Sequence, residues 1–431
     1  MLLEIVEELF EMSFVKPKGT YDVLSDKSKV WNFVEGLVRE ECAKFNFGEI
    51  RTPMFEASEL YHRSAGETSD VVSKETYDFL DRADRKMTLR PEGTAGVVRS
   101  FIENKLYVSP AVQKFFYVGP MFRYERQQKG RYRQHVQFGV EAFRSNSPLL
   151  DVEVISLACR ILARLGLDSN VKVKLNSLGS SESRARYRDA LVSYFEGCRD
   201  ELCSDCQVRF EKNPLRILDC KKDSGTTALK NVPKIIDYLI DEDLSYFNEV
   251  RAGLDAVGIA YEYDGNLVRG FDYYTHTIFE VQADIPGFGA QSTLCGGGRY
   301  NGLVEELGGP STPAVGFGMG LERVLLALEA AGIDVVGDSG LDCFFIPLGS
   351  EAKNFTVKLM NEVRADGVSC DTDFSDKKLK AKFKLADDSG AKYVVVLGDD
   401  EIATGVIQVK ELASGESREV KLELLAEVLR G

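Results

Sequence analysis

The stretch YVGPMFRYERQQKGRYRQHVQFGVE, residues 117–141, decides how the rest of the chain is read. Its apolar approach, Phe115 to Phe122, alternates and is aromatic or β-branched, which predicts a buried strand. Arg123, Arg126, Lys129, Arg131 and Arg133 then crowd around a single acid, Glu125, with Gly130 as the break. A second alternating run, Val136 to Val140, carries Gln137 and ends on Glu141. Strand, basic loop and returning strand predict an antiparallel hairpin that holds guanidinium groups over a floor. Arginine forks suit phosphate or carboxylate, because several rigid donors meet several acceptor oxygens at once. The plain alternative is a solvated basic hairpin.

The window also resembles motif 2 of the class II aminoacyl-tRNA synthetases. Phe122-Arg123-Tyr124-Glu125 fits that motif's Phe-Arg-x-Glu opening, and QKGRYRQ (128–134) is similar to the histidyl-tRNA synthetase version of its loop. Upstream, RPEGTAGVVRS (90–100) matches the family's Arg-Pro-Glu-Gly-Thr. Pro91 and Gly93 punctuate a strand-to-helix change there, and Thr94 is expected to cap the helix. Glu92 sits at that turn, either facing an ammonium group or complementing the helix dipole. Downstream, LVRGFDYYTHTIFEV (267–281) and CGGGRYNGLVEELGG (295–309) resemble the histidine-specific motifs, the second with three glycines that leave room for a ligand. VGFGMGLERVLLALEAAG (315–332) reads as a small-residue strand and a helix with Leu321, Val324, Leu325 and Leu328 on its apolar face. Arg323 in its first turn matches motif 3, against the alternative of a surface arginine snorkelling over the helix.

Farther out, residues 26–46 have helical spacing, Val30, Phe33, Val34, Leu37 and Val38, with Asp26 as N-cap. GEIRTPMFEASELYHR (48–63) reads as a strand passing Pro53 into a polar segment; by resemblance it is motif 1, the dimer-forming element. Residues 75–90 predict a hairpin turned at Asp81–Asp84, and residues 150–166 an amphipathic core helix. From Gly179 to Tyr263 helical periods follow one another with no legible chemistry. After about Ser339 apolar strands alternate with helices, which predicts an α/β sheet of largely parallel order. GAKYVVVLGDDE within it resembles the anticodon-binding domain of the histidyl, prolyl, threonyl and glycyl enzymes.

The fold class expected is therefore α/β multidomain. A class II antiparallel-sheet catalytic core (1–178 and 264–335) carries a mainly helical insertion (179–263), followed by an anticodon-binding domain (340–431). The resemblance implies ATP-dependent activation of L-histidine and its transfer to tRNA(His) by a cytoplasmic homodimer. In that reading Arg123 takes the α-phosphate, Arg131 and Arg323 the outer phosphates with Mg²⁺, and Glu125 the adenine amino group. His135 stacks on the base, and Arg269 bridges the histidine carboxylate and α-phosphate. Glu141 and Tyr274 read the imidazole, with Glu92, Thr94 and Gln137 at the α-amino group and Gly93, Tyr273 and Tyr300 completing the pocket. The rival is the synthetase-like regulatory subunit of ATP phosphoribosyltransferase, which typically lacks an anticodon domain and has eroded ATP arginines.

Composition sets the remaining bounds. The length of 431 residues calls for two or three domains, and 44% hydrophobic with 28% charged residues is globular. No apolar run approaches the roughly 20 residues that cross a bilayer, so no membrane is expected. The acidic start MLLEIVEELFEMS reads as an amphipathic helix or a frayed extension rather than a signal peptide. The net charge of −14 does not oppose RNA binding, because affinity comes from local basic surfaces. Two such surfaces are legible, the 123–133 loop and the run Lys377, Lys378, Lys380, Lys382, Lys384. Nine cysteines without a disulfide pattern read as reduced thiols. Among Cys198, Cys203, Cys206 and Cys220, only Cys203-x-x-Cys206 has zinc-ligand spacing, and without a second close pair free thiols are the expectation.

Overall fold

The computed structural model describes residues 14–65, 74–288, 292–337, 340–375 and 377–430. The start, residues 1–13, expected as an amphipathic helix or a frayed extension, lies outside them. The chain divides into two compact units, Met1–Val335 and Val336–Gly431.

The first unit opens with a helix, Ser25–Lys44, whose cap is Leu24, so Asp26 falls in the first turn instead of at the N-cap. Trp31, Val34, Leu37 and Val38 form its buried side. Phe33 lies off that stripe and is exposed. Strand β1 (Gly48–Glu49) is only two residues long. Strands β2 (Phe55–Ala57), β3 (Tyr77–Leu80) and β4 (Lys86–Leu89) form a small antiparallel sheet in the order β2-β4-β3. The polar segment after Pro53 becomes a helix, Ser58–Ala65. The β3–β4 turn is held by Asp81, whose carboxylate accepts from the Ala83 and Arg85 N–H groups at 2.8 and 3.0 Å.

Strands β5 (Gln113–Phe122) and β6 (Gln134–Phe143) are the expected hairpin, registered from Gln113 opposite Phe143 to Phe122 opposite Gln134. With β7 (Val171–Ser177), β8 (Tyr261–Tyr263), β9 (Thr275–Ala283), β10 (Thr293–Arg299) and β11 (Ala314–Gly320) they build an eight-stranded sheet. Its order is β1-β5-β6-β11-β10-β9-β7-β8, antiparallel except at the edges, where β1 and β8 pair in parallel. The hairpin therefore sits beside β11, with Phe143 opposite Ala314 and Gln137 opposite Gly320.

One face of this sheet is covered by the helix Pro148–Arg164, which Ser147 caps through the Leu149 N–H. Asp151 on that helix is fully buried and holds Arg299, also fully buried, at 2.5–3.2 Å. The Arg299 guanidinium also donates to the carbonyls of Ser145 and Ser147. A buried charge needs this kind of complete partnering. Residues 179–263 are mainly helical as expected, with helices at Ser181–Glu196, Ser204–Lys212 and Asp241–Ala256. The last of these places Phe247, Val250 and Leu254 in the main core, and β8 extends the main sheet. Residues 241–263 are thus built into the body they were expected to interrupt.

The second unit is a five-stranded mixed sheet. Strands β12 (Cys343–Pro347), β13 (Cys370–Thr372) and β14 (Tyr393–Leu397) are parallel, and β15 (Val406–Glu411) and β16 (Ser417–Lys421) join antiparallel, in the order β13-β12-β14-β15-β16. The lysine-rich helix runs Leu379–Asp388. Lys377, Lys378, Lys380 and Lys384 are exposed. Lys382 is buried and donates to the Pro347 carbonyl at 3.2 Å, so it belongs to the core and not to a phosphate-facing surface.

Candidate functional site

The β5–β6 hairpin, the Arg90–Thr94 turn, the 268–274 segment and strands β9 to β11 enclose a cavity of about 270 Å³. Four guanidinium groups line it: Arg123, Arg131, Arg269 and Arg323. Each is aimed by the protein. Arg123 Nε donates to the Pro91 carbonyl at 2.8 Å, and Arg131 meets Glu125 at 2.9 Å. Arg323 Nη1 donates to the Thr293 carbonyl at 2.8 Å and its Nε to the Gly130 carbonyl at 3.3 Å. Arg269 is ion-paired with Glu280, which also accepts from Gln282 and Thr293 at 2.8 Å. Arg269 Nε is buried without a hydrogen-bond partner. A buried orphan donor costs roughly 1–3 kcal/mol, and an arriving anion would recover that.

The electrostatics agree with an anion site. Burial, then the charges of Arg131 and Arg123, lowers the pKa of Arg323. His135, expected to stack on a base, is pushed down to about 3 by burial and then by Arg123 and Arg323. Its ring is therefore neutral, which suits stacking among cations. Glu125 lies between Arg123 (3.9 Å) and Arg131.

At the other end the cavity is lined by Glu92, Thr94, Gln137, Tyr117, Tyr273 and Tyr274. Thr94 does not cap its helix. The helix begins at Thr94, and Glu92 takes the capping role by accepting from the Thr94 and Ala95 N–H groups at 2.6 and 2.8 Å. A carboxylate two residues before the first turn reaches those donors, and the Thr94 hydroxyl is left to donate to Glu141 Oε1 at 2.7 Å. Glu92 both caps the helix and lines the cavity. Burial raises its pKa against these hydrogen bonds.

Glu141 and Tyr300 do not reach the cavity wall. They are buried behind Thr94, with the Tyr300 hydroxyl donating to Glu141 Oε2. Burial drives the Glu141 carboxyl up to about 8, opposed by the hydroxyls of Tyr300 and Thr94. Gly93 is also off the wall; a Cβ there would strike the Tyr117 ring, so the glycine seats that ring. The Gly296–Gly298 run is needed by the protein itself. A Cβ on Gly296 would collide with the Arg269 guanidinium, and one on Gly297 with the Gly316 carbonyl of the neighbouring strand. The space expected for a ligand is partly filled by the arginine that faces it.

Sequence reasoning missed Tyr117, Glu280, Thr293 and Asp219, all on the cavity wall. Tyr117 was inside the deciding stretch but reads as an ordinary strand residue. Asp219 comes from the insertion, where no chemistry was legible. Its carboxyl is raised by burial and by Glu280, opposed by Arg216.

Comparison with known proteins places these features in context. A family model described as histidyl-tRNA synthetase matches residues 19–183 and 215–324, and one for an anticodon-binding domain matches 342–431. The chain is 51% identical over 420 residues to the histidine–tRNA ligase of Geobacillus sp. (strain WCH70), covering 97% of this chain and 99% of that one. It is 52% identical over 412 residues to the corresponding ligase of Anoxybacillus flavithermus, covering 95% and 97%. Among solved structures, apo Staphylococcus aureus histidyl-tRNA synthetase superimposes with a TM-score of 0.83 at 43% identity, covering 97% of this chain and all of that one. A Bacillus halodurans protein titled an ATP phosphoribosyltransferase regulatory subunit/histidyl-tRNA synthetase shares the fold at 22% identity and a TM-score of 0.64, covering 90% of this chain and 99% of that one.

Proposed function

The chain belongs to the histidyl-tRNA synthetase family, and from that premise we propose how its side chains divide the work of a histidine–tRNA ligase. The enzyme activates L-histidine with ATP to histidyl-adenylate and pyrophosphate, then transfers histidine to the 3′ end of tRNA(His). In the first step a histidine carboxylate oxygen attacks the α-phosphorus and the bond to pyrophosphate breaks. The nucleophile is already an anion, so no general base is required. The task is to hold two anions together and to neutralise the charge that builds on the α-phosphate.

The observation that carries the assignment is the set of four aimed guanidinium groups around one cavity. Arg269, with its orphan Nε, bridges the histidine carboxylate and the α-phosphate, while Glu280 fixes its fork. Arg123 takes the α-phosphate from the other side, and Arg131 and Arg323 take the outer phosphates. Glu125 accepts from the adenine amino group and neutral His135 stacks on the ring. Glu92, Thr94 and Gln137 receive the α-amino group, with Tyr273 and Tyr300 packing the floor behind it and Gly93 leaving space for Tyr117.

Tyr274 and Glu141 read the imidazole. Glu141 lies behind Thr94, and a ring nitrogen would reach its carboxyl in place of the Thr94 hydroxyl that it now accepts. Mg²⁺ would accompany ATP and supply further charge neutralisation; Asp219 and Glu280, carboxylates on one wall of the cavity, are the residues that would hold it.

The second unit serves tRNA, consistent with the anticodon-binding match. The exposed Met54, Phe55, Phe79 and Leu80, with the two phenylalanine rings edge-to-face at 6.1 Å, support a homodimer contact on the small sheet. Among the described residues no helix is long and apolar enough to cross a membrane, which is compatible with a cytoplasmic enzyme. The division by domain is 1–178 with 264–335 for activation, joined by residues 241–263 in the same core, 179–240 as the inserted helices and 340–431 for the anticodon.

The test is histidine-dependent exchange of pyrophosphate into ATP. Exchange that requires histidine, and no other amino acid, supports the assignment. Histidine binding without exchange would overturn it in favour of a histidine-sensing regulatory subunit.

A further inference from the structure

Outside the cavity, the insertion brings together three thiols and one carboxylate. Cys203, Cys206, Cys220 and Asp223 place one ligand atom each so that all four lie within 4.8 Å of one another. Cys206, Cys220 and Asp223 are buried and Cys203 is partly so. Cys198, the fourth cysteine of the cluster in sequence, is not among them; its thiol points to the Tyr194 carbonyl. The sequence lacked a second close cysteine pair, and the fold supplies the missing half with Cys220 and an aspartate instead.

We propose that these four residues bind a structural Zn²⁺ ion. Zinc with Zn–S bonds of about 2.3 Å sets neighbouring tetrahedral sulfurs roughly 3.8 Å apart. The Cys203 and Cys220 sulfurs are 3.6 Å apart, near that edge and far beyond a disulfide bond of about 2.05 Å. Cys203 is the residue before the helix Ser204–Lys212 and Cys206 lies in its first turn, so a single turn of backbone brings both sulfurs to the site. The Asp223 carboxylate accepts the Cys203 N–H at 3.1 and 3.2 Å, which orients it while leaving lone pairs toward the thiols. Three sulfurs and one oxygen close a four-coordinate shell, the form of a structural site rather than a catalytic one.

The site has a mechanical consequence, which rests on the role proposed for the 269–274 segment. Between Cys206 and Cys220 the chain forms one short helix and a single 3₁₀ turn at Pro214–Ile217. From this span Arg216 donates to the Gly270 carbonyl at 2.6 Å and Asn213 to Asp272 at 3.2 Å, while Asp219 reaches the cavity. The ion clips both ends of the span, and the span braces the loop that carries Arg269, Tyr273 and Tyr274.

The full-length protein, purified without a histidine tag or chelator, is assayed for metals by elemental analysis and for thiols by mass spectrometry. About one zinc per chain is expected, with no Cys203–Cys220 disulfide. Cys206→Ser and Cys220→Ser should lose the zinc, and Cys198→Ser should keep it. Because a cysteine variant can fail to fold, the wild-type protein is also stripped with a chelator and refilled with Co²⁺, which should give thiolate charge-transfer bands and tetrahedral d–d absorption. Metal-free wild-type protein, iron in place of zinc, an oxidised Cys203–Cys220 pair, or zinc retained by Cys206→Ser would each overturn the site. Stripping should also raise the KM for histidine more than that for ATP. Zinc present with both KM values unchanged on stripping would overturn the bracing role and leave the activation chemistry untouched.

Discussion

The two units use positive charge in opposite ways. In the first, Arg123, Arg269 and Arg323 are partly or wholly buried and tied to Pro91, Glu280 and Thr293 before any anion arrives. In the second, Lys377, Lys378, Lys380 and Lys384 stand in solvent on flexible stems, and Lys382 alone is fixed. Fixed forks in a low-dielectric cavity stabilise one charge arrangement strongly and resist salt. Solvated ammonium groups attract any nearby phosphate, weakly and in a salt-dependent manner. The comparison teaches that a cation aimed in advance suits one fixed arrangement of charge, whereas a solvated one suits any.

The largest effect should come from unaiming one fork. Arg269→Ala is expected to lower ATP–pyrophosphate exchange by roughly 10²–10³-fold or more with the far-ultraviolet circular dichroism intact, and Arg269→Lys should recover little. A near-normal exchange rate in either variant would remove the contrast between the units. Next is removal of the second unit. A chain ending near Ser339 should retain histidine-dependent exchange yet charge tRNA with a KM raised on the order of 100-fold, the loss of one of two linked binding modules. Sedimentation alongside both assays checks that the truncated chain keeps its oligomeric state; lost exchange in a folded chain of unchanged state would break the comparison.

Smaller effects sharpen it. Glu141→Gln should raise the histidine KM by about 1–3 kcal/mol equivalent, with ATP little changed. The same change should alter stability with pH. Burial holds the Glu141 carboxyl at about 8 against an ordinary 4.5, so the folded protein keeps a proton that the unfolded chain releases. The stability tied to that proton is present below pH 4.5 and is lost as pH rises through about 8. The ligand-free glutamine variant should therefore gain thermal stability over the parent progressively across that window and level off above it. Smallest is the paired change Lys380→Ala with Lys384→Ala. It should flatten the salt slope of tRNA binding by about 0.7–0.9 for each phosphate that is no longer neutralised, while exchange is unaffected. An unchanged slope would show that this helix face is merely solvated.

Legibility in the sequence followed the range of the forces involved. The β5–β6 hairpin, its basic loop and the helix Pro148–Arg164 were readable because alternation and helical period are local signals. So were Arg123, Glu125, Arg131, His135, Arg269 and Arg323, all of which the fold brings to one cavity. What failed was whatever depends on partners far along the chain. The Asp151 that neutralises Arg299 and the Asp219 contributed by the insertion had no neighbour in sequence to announce them, while Glu280, 11 residues from the Arg269 it aims, gave no periodic signal of that pairing. Thr94 lost its cap role to Glu92 because its own hydroxyl is taken by Glu141, on a strand 47 residues away. Lys382 looked like its neighbours until the strand end at Pro347 supplied a buried acceptor.

The pairing of β6 with β11 bears on how the enzyme is made. Phe143 lies opposite Ala314, roughly 170 residues farther along the chain, and the cavity has no wall of its own until they meet. At about 5–20 residues per second, the arginine-bearing hairpin leaves the ribosome tens of seconds or less before its neighbour. During that interval it is a sheet fragment with an open edge and an unassembled anion site. The cavity is complete only once Arg323 has emerged, so a ligand of that cavity has no site on a chain stalled before it. Over that stretch of synthesis, the exposed edge is a place where a chaperone would be needed.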